Sequence, residues 1–525
     1  MALCLALIVT GCGSAAPTGV KDDQNFETQD KETRFRVETV AAGLEVPWAL
    51  TWLPNKDLVF TERPGRVRII QNGKLKAEPI YTVPDVEPSG ESGLMDITLH
   101  PKYSSNKFVY LAYAYNEDAE KYIKVVRYKF DGKTFAEPKN IIDKIPAAPN
   151  HAGTRARFGL DGKLYIATGD STDWELAQVK DSLAGKVLRL NDDGTVPKDN
   201  PFVNDKAYRP EIWTIGMRNP QGLAFQPGSG LLFETEHGPS GFEGKGGGGD
   251  EVNIIERGKN YGWPEIHHRE TREGMESPLL EYSPACAPAS AAFYNGSVFP
   301  AFKGNFFFGC LRGTRIIRVV LDGRKVVSQE DLLSGNFGRI RDVAEGPDGF
   351  IYFSTSNRDG RGTPADNDDR ILRFIPVDQR SQPAANTPPV TESETPTTEP
   401  SLDDDQIAAV DVVKKYYAAI NAKEYETAYK LWSNDGEASN QTLDQFKKGF
   451  AETKSVEVTV TSNDLVIEGA AGSRYISIPV KIRSTMKNGK VQNFAGEYTL
   501  RRTVVDGATA EQMKWHIYSA TIKKQ

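Results

Sequence analysis

Three short stretches of the chain concentrate groups able to do chemistry. The first is Asn150-His151-Ala152-Gly153-Thr154-Arg155. The second is Gly216-Met217-Arg218-Asn219-Pro220-Gln221-Gly222-Leu223. The third runs from Glu236-His237-Gly238-Pro239 through a glycine-rich loop to Asp250-Glu251-Val252-Asn253, and ends at Asn260-Tyr261-Gly262-Trp263-Pro264. Each carries more polar residues and glycines than strand packing requires. An imidazole titrates near neutral pH and can move a proton. A planar guanidinium suits carboxylates, and carboxylate and carbonyl oxygens suit a hard cation such as calcium. Taken singly, each of these residues has a plainer reading: a loop histidine, a solvated arginine, a turn acid.

The elements that would position them repeat. Six copies of a turn followed by an apolar strand begin at Asn55, Ser105, Asp161, Gly228, Lys303 and Asp348, spaced 45 to 75 residues apart. Turn residues followed by β-branched and aromatic residues read as hairpins. Repeated antiparallel units of this size predict an all-β, six-bladed β-propeller over residues 35–375. The last unit is one strand short, and Phe35, Val37 and their neighbours are expected to supply it and close the ring. Loops of a propeller gather on one face, so the three stretches can converge there.

The ordered set His-x-Gly-x-Arg, Gly-x-Arg-Asn-Pro-Gln-Gly, Glu-His-Gly-Pro, Asp-Glu-Val-Asn and Asn-Tyr-Gly-Trp-Pro resembles the soluble, pyrroloquinoline-quinone (PQQ)-dependent glucose and aldose sugar dehydrogenases. Pro47-Trp48, Thr61 to Arg66, Gly93 to Asp96, Asp199 to Phe202 and Gly338 to Val343 extend the match over about residues 36–375. The resemblance implies oxidation of an aldose at its anomeric hydroxyl to the lactone, with His151 as base and Arg218 polarising the quinone. It places Asn150, Arg218, Asn219, His268, Arg312, Arg339 and Arg341 around a tricarboxylate cofactor. It implies Ca2+ on the carbonyls of Gly238 and Pro239, and a second Ca2+ on Asp250, Glu251 and the carbonyl of Tyr261. Asn150, Met217 and Ser92 stand where better-known members carry Asp, His and Gln, and the loop between Pro239 and Asp250 is lengthened. Two other readings stay open on the sequence: a calcium-dependent propeller lactonase or hydrolase, and a non-enzymatic cell-surface binding propeller.

Residues 376–405 hold six prolines among Ser, Thr and acids. Such a segment cannot bury enough surface to fold and reads as an extended linker. From Gln406, helical spacing of Ile407, Val410, Val413, Tyr417 and Ile420 precedes alternating strands. Residues 406–525 thus resemble the small α+β nuclear-transport-factor-like (cystatin-like) domains, and Thr442 with Gln445 predicts a capping box. At the start, Ala2 to Thr10 is apolar and Val9-Thr10-Gly11-Cys12 resembles a lipobox, giving a signal region over 1–19, a tether over 20–34 and a lipid anchor at Cys12. The expected location is therefore the outer face of a bacterial cell membrane, or the periplasm, with membrane contact only through that anchor. Lys+Arg number 64 against 71 Asp+Glu, a net charge of −7, which gives no footprint for nucleic acid. No apolar run approaches the ~18 residues that span a bilayer. Cys286 and Cys310 are left to pair or not, and the absence of a CxxC spacing argues against zinc, iron–sulfur or haem.

Overall fold

The computed structural model describes residues 25–377, apart from 242, and 404–524, apart from 440, 461–464, 466, 471–472, 504–508 and 510. These fall into two compact units, 25–377 and 404–524. The lipobox, Cys12 and nearly all of the expected linker lie outside the described residues. None of the described helices is long and apolar enough to cross a membrane.

The first unit contains six antiparallel sheets of four or five strands. The apolar strand of each sequence repeat is the second strand of its sheet: Leu58–Glu62, Phe108–Glu117, Leu164–Thr168, Leu232–Glu236, Phe306–Cys310 and Ile351–Thr355. Most of these side chains are buried on both faces, which is why they read as continuous apolar runs rather than alternating ones. The first strands are Pro47–Trp52, Leu94–Leu99, Thr154–Phe158, Pro220–Phe225, Pro288–Phe293 and Ile340–Glu345. Each packs against the next in this order, and the last packs back against the first. Carboxylates stitch neighbouring sheets: Asp96 accepts the Ala156 N–H at 2.7 Å, and Asp342 accepts the Leu50 N–H at 2.7 Å.

The circuit closes as the sequence suggests. Arg34–Ala41 pairs antiparallel with Ile371–Pro376, with Val37 opposite Phe374. The borrowed strand is an outer one, next to the last strand of its sheet, and a short strand at Asn25–Glu27 adds beyond it. Phe35 is fully buried and stacks on Phe374 at 4.3 Å. Cys286 and Cys310 are buried free thiols. Burial, then the neighbouring Cys310 thiol, pushes the Cys286 thiol up.

The second unit has helices Asp404–Ala422, Tyr425–Lys430 and Leu443–Gly449, followed by a six-stranded antiparallel sheet. Val410, Val413, Tyr417 and Ile420 face its core, whereas Ile407 is 44% exposed. The capping box forms: Thr442 and Gln445 exchange side chain–backbone hydrogen bonds of 2.8 and 3.3 Å.

A candidate active site at one end of the ring

In an antiparallel sheet the start of one strand lies beside the end of the next. Glu91, His151, Arg218–Asn219 and Arg339 each stand just before a first strand, while Gly238–Pro239 and Arg312 follow a second strand. All therefore lie at the same end of their sheets. Side chains from four sheets meet between the first strands: Arg155 pairs with Asp96 at 3.0 Å and Asp342 at 3.6 Å, and Arg341 donates to Gln221 at 3.1 Å.

His151 is the centre of one cluster. Its Nδ1 lies 2.8 Å from Asp170 Oδ1, and the other Asp170 oxygen accepts Trp263 Nε1–H at 2.8 Å. Asp170 is fully buried. A buried carboxylate on Nδ1 fixes that nitrogen as the donor and leaves the Nε2 lone pair free to take a proton. The backbone is arranged for this: His151 adopts φ +53°, and a Cβ on Gly169 would sit 2.0 Å from the His151 carbonyl oxygen. Glu91 ties His151 to Asn219, accepting the His151 N–H at 3.3 Å and the Asn219 amide at 3.1 Å. Burial pushes the Glu91 carboxyl up, but Arg361, His237, His151 and Arg341 together hold it down at about 2.

Guanidinium groups surround this cluster. Arg218 is 2% exposed, lies 5.2 Å from the Trp263 ring and donates to the His237 carbonyl at 2.9 Å. Its outer nitrogen is held by Glu243. Arg341 stacks 3.8 Å over Trp48. Burial lowers Arg341 to about 9 against the pull of Asp359, so it stays charged at neutral pH. Arg339 donates to Asp359 at 2.9 Å. The buried Nε atoms of Arg218 and Arg341 have no acceptor. Asn219 accepts the Gly153 N–H at 3.0 Å and the Gln221 amide at 3.1 Å, locking two loops together.

Gly238, Pro239, Glu251 and Tyr261 line one small cavity with Arg218 and Glu236. Glu234, Glu236 and Glu251 share the Asn253 amide at 3.1 to 3.3 Å. Burial first, and the Glu236 charge next, push Glu251 well above its ordinary range. Glu234 Oε1 and Asn253 Oδ1 are buried with no partner. Oxygen donors without hydrogens suit a hard cation. Among the described residues no three His, Cys, Asp or Glu side chains form a ready cage, so an ion there would lean on carbonyls.

Several expected positions fall elsewhere. Asp250 does not line the cavity: its two oxygens accept the Gly238 N–H at 2.8 Å and the Ala287 N–H at 2.6 Å, which is the work of a turn acid. Asn150 is exposed and its oxygen accepts from Arg361 at 2.6 Å. His268 packs on Gly249 and faces His267, Nδ1 to Nδ1 at 2.8 Å; His267 is the one that lines the cavity. Arg312 donates its N–H to the Cys286 carbonyl at 3.0 Å, beside Asp250. Met217 is fully buried in an apolar cluster with Tyr165 and Val187, and Ser92 bonds back to the Ser89 carbonyl. Asp170, Glu91, Trp263, Asp359 and Glu243 escaped the sequence reading. Each works through contacts with segments distant in the chain, and only Trp263 sits in a quoted motif.

The family described as Glucose / Sorbosone dehydrogenase matches residues 44–372, more than half of the chain. The chain belongs to the glucose/sorbosone dehydrogenase family. The aldose sugar dehydrogenase YliI of Escherichia coli (strain K12) is 36% identical over 343 residues, covering 62% of this chain and 91% of that protein. The quinoprotein glucose dehydrogenase B of Acinetobacter calcoaceticus is 30% identical over 266 residues, covering 45% and 54%. The solved PQQ-bound aldose sugar dehydrogenase of Streptomyces coelicolor is 32% identical with a TM-score of 0.58, covering 69% of this chain and all of that one. The mostly-β architecture of antiparallel sheets with few helices matches the propeller fold of this dehydrogenase family, and the chain is an oxidoreductase.

Proposed function

We propose that this chain is a PQQ-dependent aldose dehydrogenase that oxidises the anomeric hydroxyl of a sugar to the lactone. The observation that carries the reading is His151, oriented by buried Asp170, at the same end of the ring as Arg218, Arg339 and Arg341. The residues fit the cofactor: a tricarboxylate needs fixed positive charge, and two buried guanidinium Nε–H donors lack acceptors. When bound, the orthoquinone supplies the hydride acceptor.

The chain's own residues supply the rest. His151 Nε2 takes the hydroxyl proton, and Asp170 stabilises the imidazolium that results. Arg218 keeps positive charge where negative charge develops. Asn219, held by Glu91, Gly153 and Gln221, fixes the loop beside it. Calcium is assigned to the carbonyls of Gly238 and Pro239, and a second calcium to Glu251 and the Tyr261 carbonyl, all four residues lining the same small cavity. Asp250 supports that site indirectly, by holding the Gly238 amide. The six sheets are read as six blades. The second unit is read as a nuclear-transport-factor-like accessory domain, and the protein as exported and lipid-anchored through Cys12.

The test is reconstitution of the full chain with Ca2+ and PQQ, followed by dye reduction with a panel of aldoses. His151→Ala is expected to lose roughly 10²–10⁴-fold in kcat with the fold intact. Full turnover by that variant would remove His151 from the reaction.

A further inference from the structure

The lengthened loop after Pro239 places a carboxylate on the arginine that the cofactor needs. Glu243 is half-buried as a residue, but its side chain is only 4% exposed. One of its oxygens pairs with Arg218 Nη2, and the other accepts the Ser240 N–H at 3.0 Å. Burial pushes the Glu243 carboxyl up, but Arg218 more than offsets this and keeps it ionised. Arg218 also reaches Ser240 Oγ at 3.3 Å, so a single guanidinium holds this end of the loop. Lys245 pins the other side through the Pro264 carbonyl at 2.7 Å. Between and beyond these contacts, Gly241, Gly244, Gly246, Gly248 and Gly249 all adopt positive φ. Such a backbone has many accessible states and can leave its present one cheaply.

We propose that Glu243 is a built-in competitor of the cofactor: it pairs with Arg218 Nη2 and is displaced when PQQ takes its place. The inference rests on the cofactor reading above. Two anions cannot share one buried guanidinium without repulsion, and Glu243 already pairs with Arg218 Nη2. The apparent affinity for PQQ is then the intrinsic affinity reduced by the fraction of molecules in which Glu243 has let go. The contact also gives the buried Arg218 charge a counter-ion, without which its burial is costly.

The experiment titrates PQQ into the full chain in Ca2+ and follows quenching of tryptophan fluorescence, since Trp263 lies under Arg218. Glu243→Gln is expected to bind PQQ at least tenfold more tightly than the wild type, with faster association. Equal or weaker binding by the variant overturns the inference and leaves the cofactor reading standing. Failure of both proteins to bind overturns both. A second measurement needs no variant: amide hydrogen exchange over residues 240–249 of the wild type is expected to rise on PQQ addition. Unchanged or slower exchange there rejects displacement of Glu243.

Discussion

At the scale of single residues, the site depends on groups that hold the reacting ones. Asp170→Asn is expected to lower kcat by roughly 10²–10⁴-fold with little change in KM, because an amide no longer fixes the donor nitrogen of His151. Steady-state kinetics over a range of sugar concentrations checks it, since kcat will fall while KM will hold. Glu91 gives a pH prediction. Its carboxyl is held at about 2 in the fold against 4.5 as reference, so the folded state binds fewer protons between those values. Its contribution to stability is complete above pH 4.5 and is lost as pH falls toward 2. Glu91→Gln is therefore expected to flatten the stability curve across that window, read by denaturant unfolding at fixed pH steps. Of this site, His151, Arg218, Arg339 and Arg341 were legible because they sit in short ordered motifs. Glu91 and Asp170 were not, because they meet His151 across 60 and 19 residues of chain with no local pattern. Asp250 shows the limit of such motifs: an acid before a strand looks the same in sequence whether it binds an ion or, as the structure shows, accepts two amides.

At the scale of elements, the turn-plus-strand period located the second strand of every sheet in the first unit, because those strands are buried on both sides and carry a strong apolar signal. The first strands were harder to see, since their polar residues face the ring interior, as Asp96, Arg155, Gln221 and Asp342 do. The long-range pairing of Arg34–Ala41 was legible only by counting a missing strand. Phe35 is fully buried in it, against Phe374 and Phe302. Phe35→Ala is expected to cost about 3–5 kcal/mol, from lost burial plus the cavity left behind. Thermal unfolding that moves by less than a degree or two would show that the outer strands do not hold the sheet. The Thr442 capping box was readable because its logic is entirely local.

At the scale of the whole molecule, the two units have separate hydrophobic cores, and every residue proposed for the reaction lies in the first. Residues 25–377 alone are expected to bind PQQ and oxidise sugar with kcat within about twofold of the full chain, and the full chain to melt in two transitions by calorimetry. A truncated protein that folds but has no turnover would place part of the site in the second unit.

The strand pairing that completes the last sheet also brings the ends of the first unit together: the Val377 N–H donates to the Arg34 carbonyl at 3.1 Å. About 340 residues separate these partners, and closing a flexible chain of that length in one step would cost about 5 kcal/mol of entropy. During synthesis, the edge of Arg34–Ala41 that meets Ile371–Pro376 must wait until that last strand emerges. Because entry and exit lie side by side, the chain can in principle be spliced there with a short bridge and opened at an exposed turn elsewhere. Such a circular permutant, cut at the exposed Pro84-Asp85 turn between two sheets, would keep every sheet with all its strands close in sequence. It is expected to reach nearly the same native stability by a faster refolding route.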